Sequence, residues 1–193
     1  MLSSSLKINN REFINYKFFN SLFLGLSIGS IFTIYASLDP SIYSIGGVVL
    51  AIFMIVIAKQ YKKILNIEAF YKISLGVELV ILFVIISFIV FSYSYTTALL
   101  VYAGYQVTFI FGSYLVRAET MILNNKQILT FIDVKKQQGY LIGMALSFGF
   151  YQVMEKFFMI TDNQIKVYDL HFFLLALELV IVYFLIKSFK KKI

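Results

Sequence analysis

The chain has 193 residues, of which 60% are hydrophobic and only 14% charged. A water-soluble domain of this size carries closer to a quarter charged residues, so the composition points to a lipid bilayer. The absence of cysteine excludes a disulfide framework and a thiolate metal site, and the net charge of +7 sits in short Lys/Arg clusters between apolar runs, which speaks for membrane topology and against a nucleic-acid partner.

Residues 1–14 hold neither the apolar core nor the small-residue cleavage site of a signal peptide, so the first span is expected to direct insertion itself. Residues 1–17 read as a cytoplasmic N-terminal segment of a single transmembrane domain covering 1–193. A crossing takes about 20 apolar residues for a hydrocarbon core of about 30 Å. Six stretches qualify: 18–38, 42–58, 70–92, 96–116, 139–158 and 168–187. Asp39-Pro40 separates the first two, since proline cannot continue a helix and biases its predecessor toward extended backbone. Ser92–Tyr95 forms a tight connector between the third and fourth. Residues 118–138 read as a cytoplasmic linker, a short amphipathic helix with Met121, Ile122, Ile128, Leu129 and Ile132 toward the membrane. Fifteen of the 17 Lys and Arg fall on one side of this layout, leaving only Lys156 and Lys166 on the other. The positive-inside rule makes the rich side cytoplasmic, with both termini on it.

Two acids stand out. Leu75-Gly76-Val77-Glu78-Leu79-Val80-Ile81 is echoed 100 positions later by Leu175-Ala176-Leu177-Glu178-Leu179-Val180-Ile181. A carboxylate at bilayer depth costs about 2.5–3.5 kcal/mol or more, so it faces protein or water and is a functional-site candidate by default. The echo relates the third span to the sixth, which divides the chain into three spans plus three. An odd number per unit inverts the second copy in the membrane, the plan of many secondary transporters.

Polar residues at helical spacing mark faces turned to protein or to a water-filled cavity. Asn20, Ser27, Ser30 and Ser37 share a face of the first span. Tyr102, Gln106, Ser113 and Arg117 share one on the fourth, and Ser147, Tyr151 and Glu155 one on the fifth. Single serines in such stripes serve more readily for interhelical hydrogen bonds than for a ligand, whereas Gln106 with Arg117 on one face suits either role. Gly25-xxx-Gly29 and Gly139-xxx-Gly143 let helix backbones approach closely. Gly25-Leu26-Ser27-Ile28-Gly29 also matches a nucleophile-elbow pattern, but that motif needs a strand-to-helix turn and this copy lies inside a helical run. His171 stands alone near the external face, and no His/Asp/Glu spacing suits a metal. The chain therefore reads as a non-enzyme without a cofactor.

The layout resembles one half of a major facilitator superfamily transporter across roughly residues 15–190: six spans, both ends cytoplasmic, a short external hairpin after the first span and a longer cytoplasmic link after the fourth. The local stretches that carry the likeness are Phe111-Gly112-Ser113-Tyr114-Leu115-Val116-Arg117 and Gln137-Gln138-Gly139-Tyr140-Leu141-Ile142-Gly143. They look like that family's arginine at the end of the fourth span and its Gly-rich fifth span. The resemblance implies that spans one and four line the cavity. The family's Gly/Asp motif between spans two and three is replaced by Lys59-Gln60-Tyr61-Lys62-Lys63, its fifth-span proline motif is absent, and its third and sixth spans are peripheral.

These features lead to the expectation of a half-size, proton-coupled transporter of a small solute or ion in a bacterial inner membrane, acting as a homodimer. Glu78 and Glu178 would bind the coupling proton, since burial favours the neutral form of a carboxyl. Ser27, Ser30, Tyr102, Gln106, Ser113, Arg117 and Tyr151 would line the route. The alternative is a non-transporting scaffold or anchor subunit in which both acids are structural. Glu119 and Glu155 are expected at the interfaces, solvated or paired with Arg117 and Lys156.

Overall fold

The computed structural model describes residues 6–91 and 93–191, so Ser92 of the expected connector lies outside the described residues. The elements run β1 (Leu6–Ile8), α1 (Asn10–Tyr35), α2 (Pro40–Lys59), α3 (Tyr61–Ile64), α4 (Ile67–Phe91), α5 (Tyr95–Ile110), α6 (Gly112–Leu123), α7 (Lys126–Lys156), α8 (Asn163–Ser188) and β2 (Phe189–Lys191).

Local chemistry sets the helix ends. Pro40 opens α2, where its missing N–H costs nothing. Ser94 and Asp162 accept from the backbone N–H of Thr97 and Gln164 at the starts of α5 and α8. Asn124, at φ 40°, ends α6 in the left-handed region, and Asn125 then caps α7 by accepting from Gln127 and Ile128 N–H. Asn125→Ala is expected to cost about 1 kcal/mol. Thermal unfolding in detergent reads this out, and an unchanged midpoint would mean that other contacts hold this reversal.

Among the described residues five stretches are long and apolar enough to cross a membrane: α1, α2, α4, α5 with α6 as one run, and α8. The expected fifth span corresponds to α7, whose 31 residues give about 46 Å. That suffices in length, but Lys126, Asp133, Lys135, Lys136, Glu155 and Lys156 with several glutamines dilute its apolar run. Residues 126–138, expected as a separate linker helix, are instead the first turns of this same helix. Much of the N-terminal segment is likewise helical, because α1 begins at Asn10. The fourth span breaks at Phe111-Gly112, where α5 ends and α6 begins.

The helices pack as a row, in the order α7, α1, α8, α4, α5, α2, with α6 leaning on α4. Its centre is a cluster that includes Phe13, Phe70, Tyr114, Ile132, Ile181 and Leu185. The α1–α7 contact is a glycine interface built from the two Gly-xxx-Gly spacings. A Cβ on Gly25 would run into Tyr140 O, and one on Gly143 into Leu22 O. At the other extreme of the row, α2 has no buried residue and is apolar on its exposed faces.

β1 pairs antiparallel with β2, Leu6 opposite Lys191 and Ile8 opposite Phe189. Asn9 N–H adds a bond to Ser188 O at 2.8 Å. Both described ends of the chain thus meet at one end of the bundle, hereafter the strand end. The helices α4 and α8 run antiparallel: Tyr71 meets Phe189 at 4.8 Å between ring centroids, while Phe88 stacks on His171 at 4.0 Å toward the opposite end.

Candidate functional site

α1, α4 and α8 converge on two carboxyls. Glu78 of α4 is 2% exposed and Glu178 of α8 only 1%. The two acids come together in the interior, close enough for a hydrogen bond between them once one carries a proton. Their environments differ. Oε1 of Glu78 accepts from the Tyr16 hydroxyl at 2.6 Å and from Asn20 Nδ2 at 3.0 Å. Tyr16 and Asn20 are one turn apart on α1, so a single helix face supplies both donors. Both oxygens of Glu178 are buried and accept from no protein donor among the described residues. Tyr105 of α5 lies near Glu178, with Ser27 beside it.

An ionised carboxylate only accepts, whereas a protonated one donates. Two ionised acids facing one another leave Glu178 without a donor and place two like charges out of water. One proton removes both difficulties, because the protonated acid donates to its neighbour. Such a pair can share a proton, and passing it from one acid to the other breaks one O–H bond and makes another.

The other residues expected to line a route fall in separate places. Ser27 and Ser30 are buried in α1 and give their hydroxyls to the backbone, Ser27 to Leu24 O at 3.2 Å and Ser30 to Ser27 O at 2.7 Å. Tyr151 is half-buried against Gly29, and its hydroxyl finds no acceptor among the described residues. Tyr102 and Gln106 share an apolar groove of about 390 Å³ with Ile42, Gly46, Val49 and Phe53 of α2. Ser113 and Arg117 instead line an open hollow of about 710 Å³ along α6, where the Arg117 guanidinium lies 5.7 Å from the centre of the Tyr61 ring. The stripe on the fourth span is thus divided by the break at Phe111-Gly112, which turns Arg117 away from Gln106.

Three further side chains have definite surroundings. His171 is 5% exposed rather than interfacial, and its Nδ1–H donates to Val167 O at 2.7 Å. Glu155 is solvated as expected, and its ion-pair partner is Lys166 at 3.3 Å rather than Lys156. Glu119 is buried and pairs with Lys17 at 2.6 Å and Lys136 at 2.7 Å, not with Arg117. Tyr16 escaped the sequence reading because it lies just ahead of the span drawn from residue 18. The signal was present, since Tyr16 extends the face of Asn20, Ser27 and Ser30 by one turn.

No protein-family model, curated protein or solved structure matches the chain.

Proposed function

We propose that the chain is a half-size secondary transporter coupled to protons, crossing a bacterial inner membrane six times with both termini cytoplasmic. The observation that carries this reading is the meeting of Glu78 and Glu178 in the interior, with Glu178 lacking a donor among the described residues. A structural carboxyl is expected to be satisfied by its neighbours, as Glu78 is; one left unsatisfied at such depth fits a group that takes up and releases a proton. In this reading the fifth of the six crossings is α7, held against α1 by glycines.

The inverted three-plus-three plan is supported by the order of the row. Exchanging α1 with α5–α6, α2 with α7 and α4 with α8 maps the sequence α7, α1, α8, α4, α5, α2 onto its own reverse. The offset of 100 also carries Tyr71 to His171 and Phe88 to within one residue of Phe189, the partners in the two ring contacts at opposite ends of the α4–α8 pair. Each acid then has a tyrosine from the first helix of a unit, Tyr16 by Glu78 and Tyr105 by Glu178. In this plan α4 and α8 are central, unlike the third and sixth spans of the major facilitator fold. The likeness to half of such a transporter is therefore one of layout. The exposed apolar α2 supports a homodimer, in which a second copy covers that edge of the row, and the groove holding Tyr102 and Gln106 is the place for a small, largely apolar solute.

Reconstitution tests the proposal. Vesicles with an imposed pH gradient should show protein-dependent proton uptake in wild type, reduced about tenfold or more in Glu78→Gln and Glu178→Gln. Infrared spectra of the same samples should show a carboxylic C=O band that disappears in Glu178→Gln. Uptake unchanged in both variants would remove the acids from the mechanism. A stoichiometric unlike partner in the purified protein would instead favour the scaffold.

A further inference from the structure

A second charged cluster begins one residue along α1 from Tyr16, the donor to Glu78. Glu119 of α6, 4% exposed, holds Lys17 Nζ of α1 at 2.6 Å on Oε2 and Lys136 Nζ of α7 at 2.7 Å on Oε1. Lys136 also reaches the exposed Asp133 at 3.3 Å, so the cluster runs from water to the interior. Lys17 adjoins Tyr16, whose hydroxyl donates to Glu78 at 2.6 Å. The Lys17 ammonium lies 5.3 Å and 5.1 Å from the ring centres of Phe13 and Tyr16. Phe13 packs in turn on Phe70 and Phe189, which close the strand end with a layer of rings. Between water at Asp133 and the acid pair there stand, in order, Lys136, Glu119, Lys17 and Tyr16.

Stability alone accounts poorly for such a cluster. The desolvation of buried charges offsets most of their attraction, and apolar side chains of equal volume often serve as well. The backbone of α6 packs on α4 rather than on α1, so the Lys17–Glu119 pair bridges two helices that are otherwise weakly tied. A tie of this kind is strong while both partners are present and is lost as a unit when they part.

We infer that Lys17, Glu119 and Lys136 form a gate that closes the acid pair off from water at the strand end. It opens when Lys17 leaves Glu119 and the first turns of α1, Tyr16 among them, move away from α6. The inference deepens the proton-transport reading by naming the door to its site, but what it predicts is accessibility, which can be measured without any transport.

Protein in lipid nanodiscs is treated with a water-soluble carbodiimide and an amine nucleophile, and labelling of each carboxyl is followed by mass spectrometry, with exposed Asp39 as the reference. Glu78 and Glu178 should be labelled about tenfold faster in Glu119→Gln and in Lys17→Met than in wild type. Glu119→Asp should restore slow labelling, and Lys166→Met, at the opposite end, should leave it unchanged. Each sample is first shown to be folded by its gel-filtration profile, and either gate variant suffices if the other fails that check. Wild-type rates in a folded gate variant, or equal acceleration in Lys166→Met, would overturn the gate. Fast labelling in the gate variants of a chain that takes up no protons would keep the gate and sink the transporter.

Discussion

Gly143→Val is expected to separate α7 from the rest of the bundle. A Cβ at Gly143 meets Leu22 O and Leu26 N, and one at Gly139 meets Phe18 O, all of them backbone atoms that cannot rotate aside. Overpacking of a close contact typically costs about 1–3 kcal/mol, and a clash with backbone belongs at the upper end. α7 has little to compensate with, since α1 is the one helix it packs against along its length. Its displacement would also take Lys136 from Glu119, leaving a buried acid with one partner instead of two. Thermal unfolding in detergent and proteolysis at the Asn124-Asn125 turn measure the effect. Gly149→Val, on the same helix with nothing within 4 Å of the added Cβ, is the control and should not destabilise. Equal behaviour of the two variants would mean that α7 is held by something other than the glycine contact.

The features legible in the sequence were those written along one helix. The Gly-xxx-Gly spacings mark α1 and α7 as helices open to close backbone contact, though not that they meet each other, and the carboxyls inside apolar runs point to two acids turned from lipid. Helical periodicity carries such information because it depends only on near neighbours in the chain. What escaped depends on pairs far apart. Nothing near Lys17 or Lys136 shows that both reach Glu119, and local spacing suggested Arg117 instead, which the break at Phe111-Gly112 turns outward. The strand pair of Leu6–Ile8 with Phe189–Lys191 joins two three-residue segments too short for any alternating pattern. The meeting of Glu78 with Glu178 lies between these cases. The repeated Glu-Leu-Val-Ile string placed each acid at a comparable depth, but only the antiparallel packing of α4 on α8 turns them toward one another. For α7 the difficulty was composition: thirteen residues, eight of them polar or charged, precede its apolar half, so its start reads as a linker rather than as the first turns of one long helix.

Glu178→Met should stabilise the protein while abolishing proton uptake, and Glu78→Met should abolish uptake while destabilising. The two acids look equivalent in sequence, but their surroundings predict opposite signs. Removing the Glu178 carboxyl deletes two buried oxygens that accept from no described donor, and a methionine of similar volume can fill the space. Exchanges of buried charge for apolar side chains have been neutral or favourable by about 1–4 kcal/mol. Removing the Glu78 carboxyl strands the Tyr16 hydroxyl and the Asn20 amide, which now donate at 2.6 Å and 3.0 Å. Each unsatisfied buried donor costs about 1–3 kcal/mol. Unfolding midpoints of the two variants against wild type, measured in one detergent at one pH, decide the matter. A loss of stability in Glu178→Met as large as in Glu78→Met would show that Glu178 is a structural acid with a partner of its own, and the proton site would lose its basis. A gain would mean that the fold keeps a carboxyl it would be more stable without, which is how a residue retained for its chemistry rather than for packing behaves.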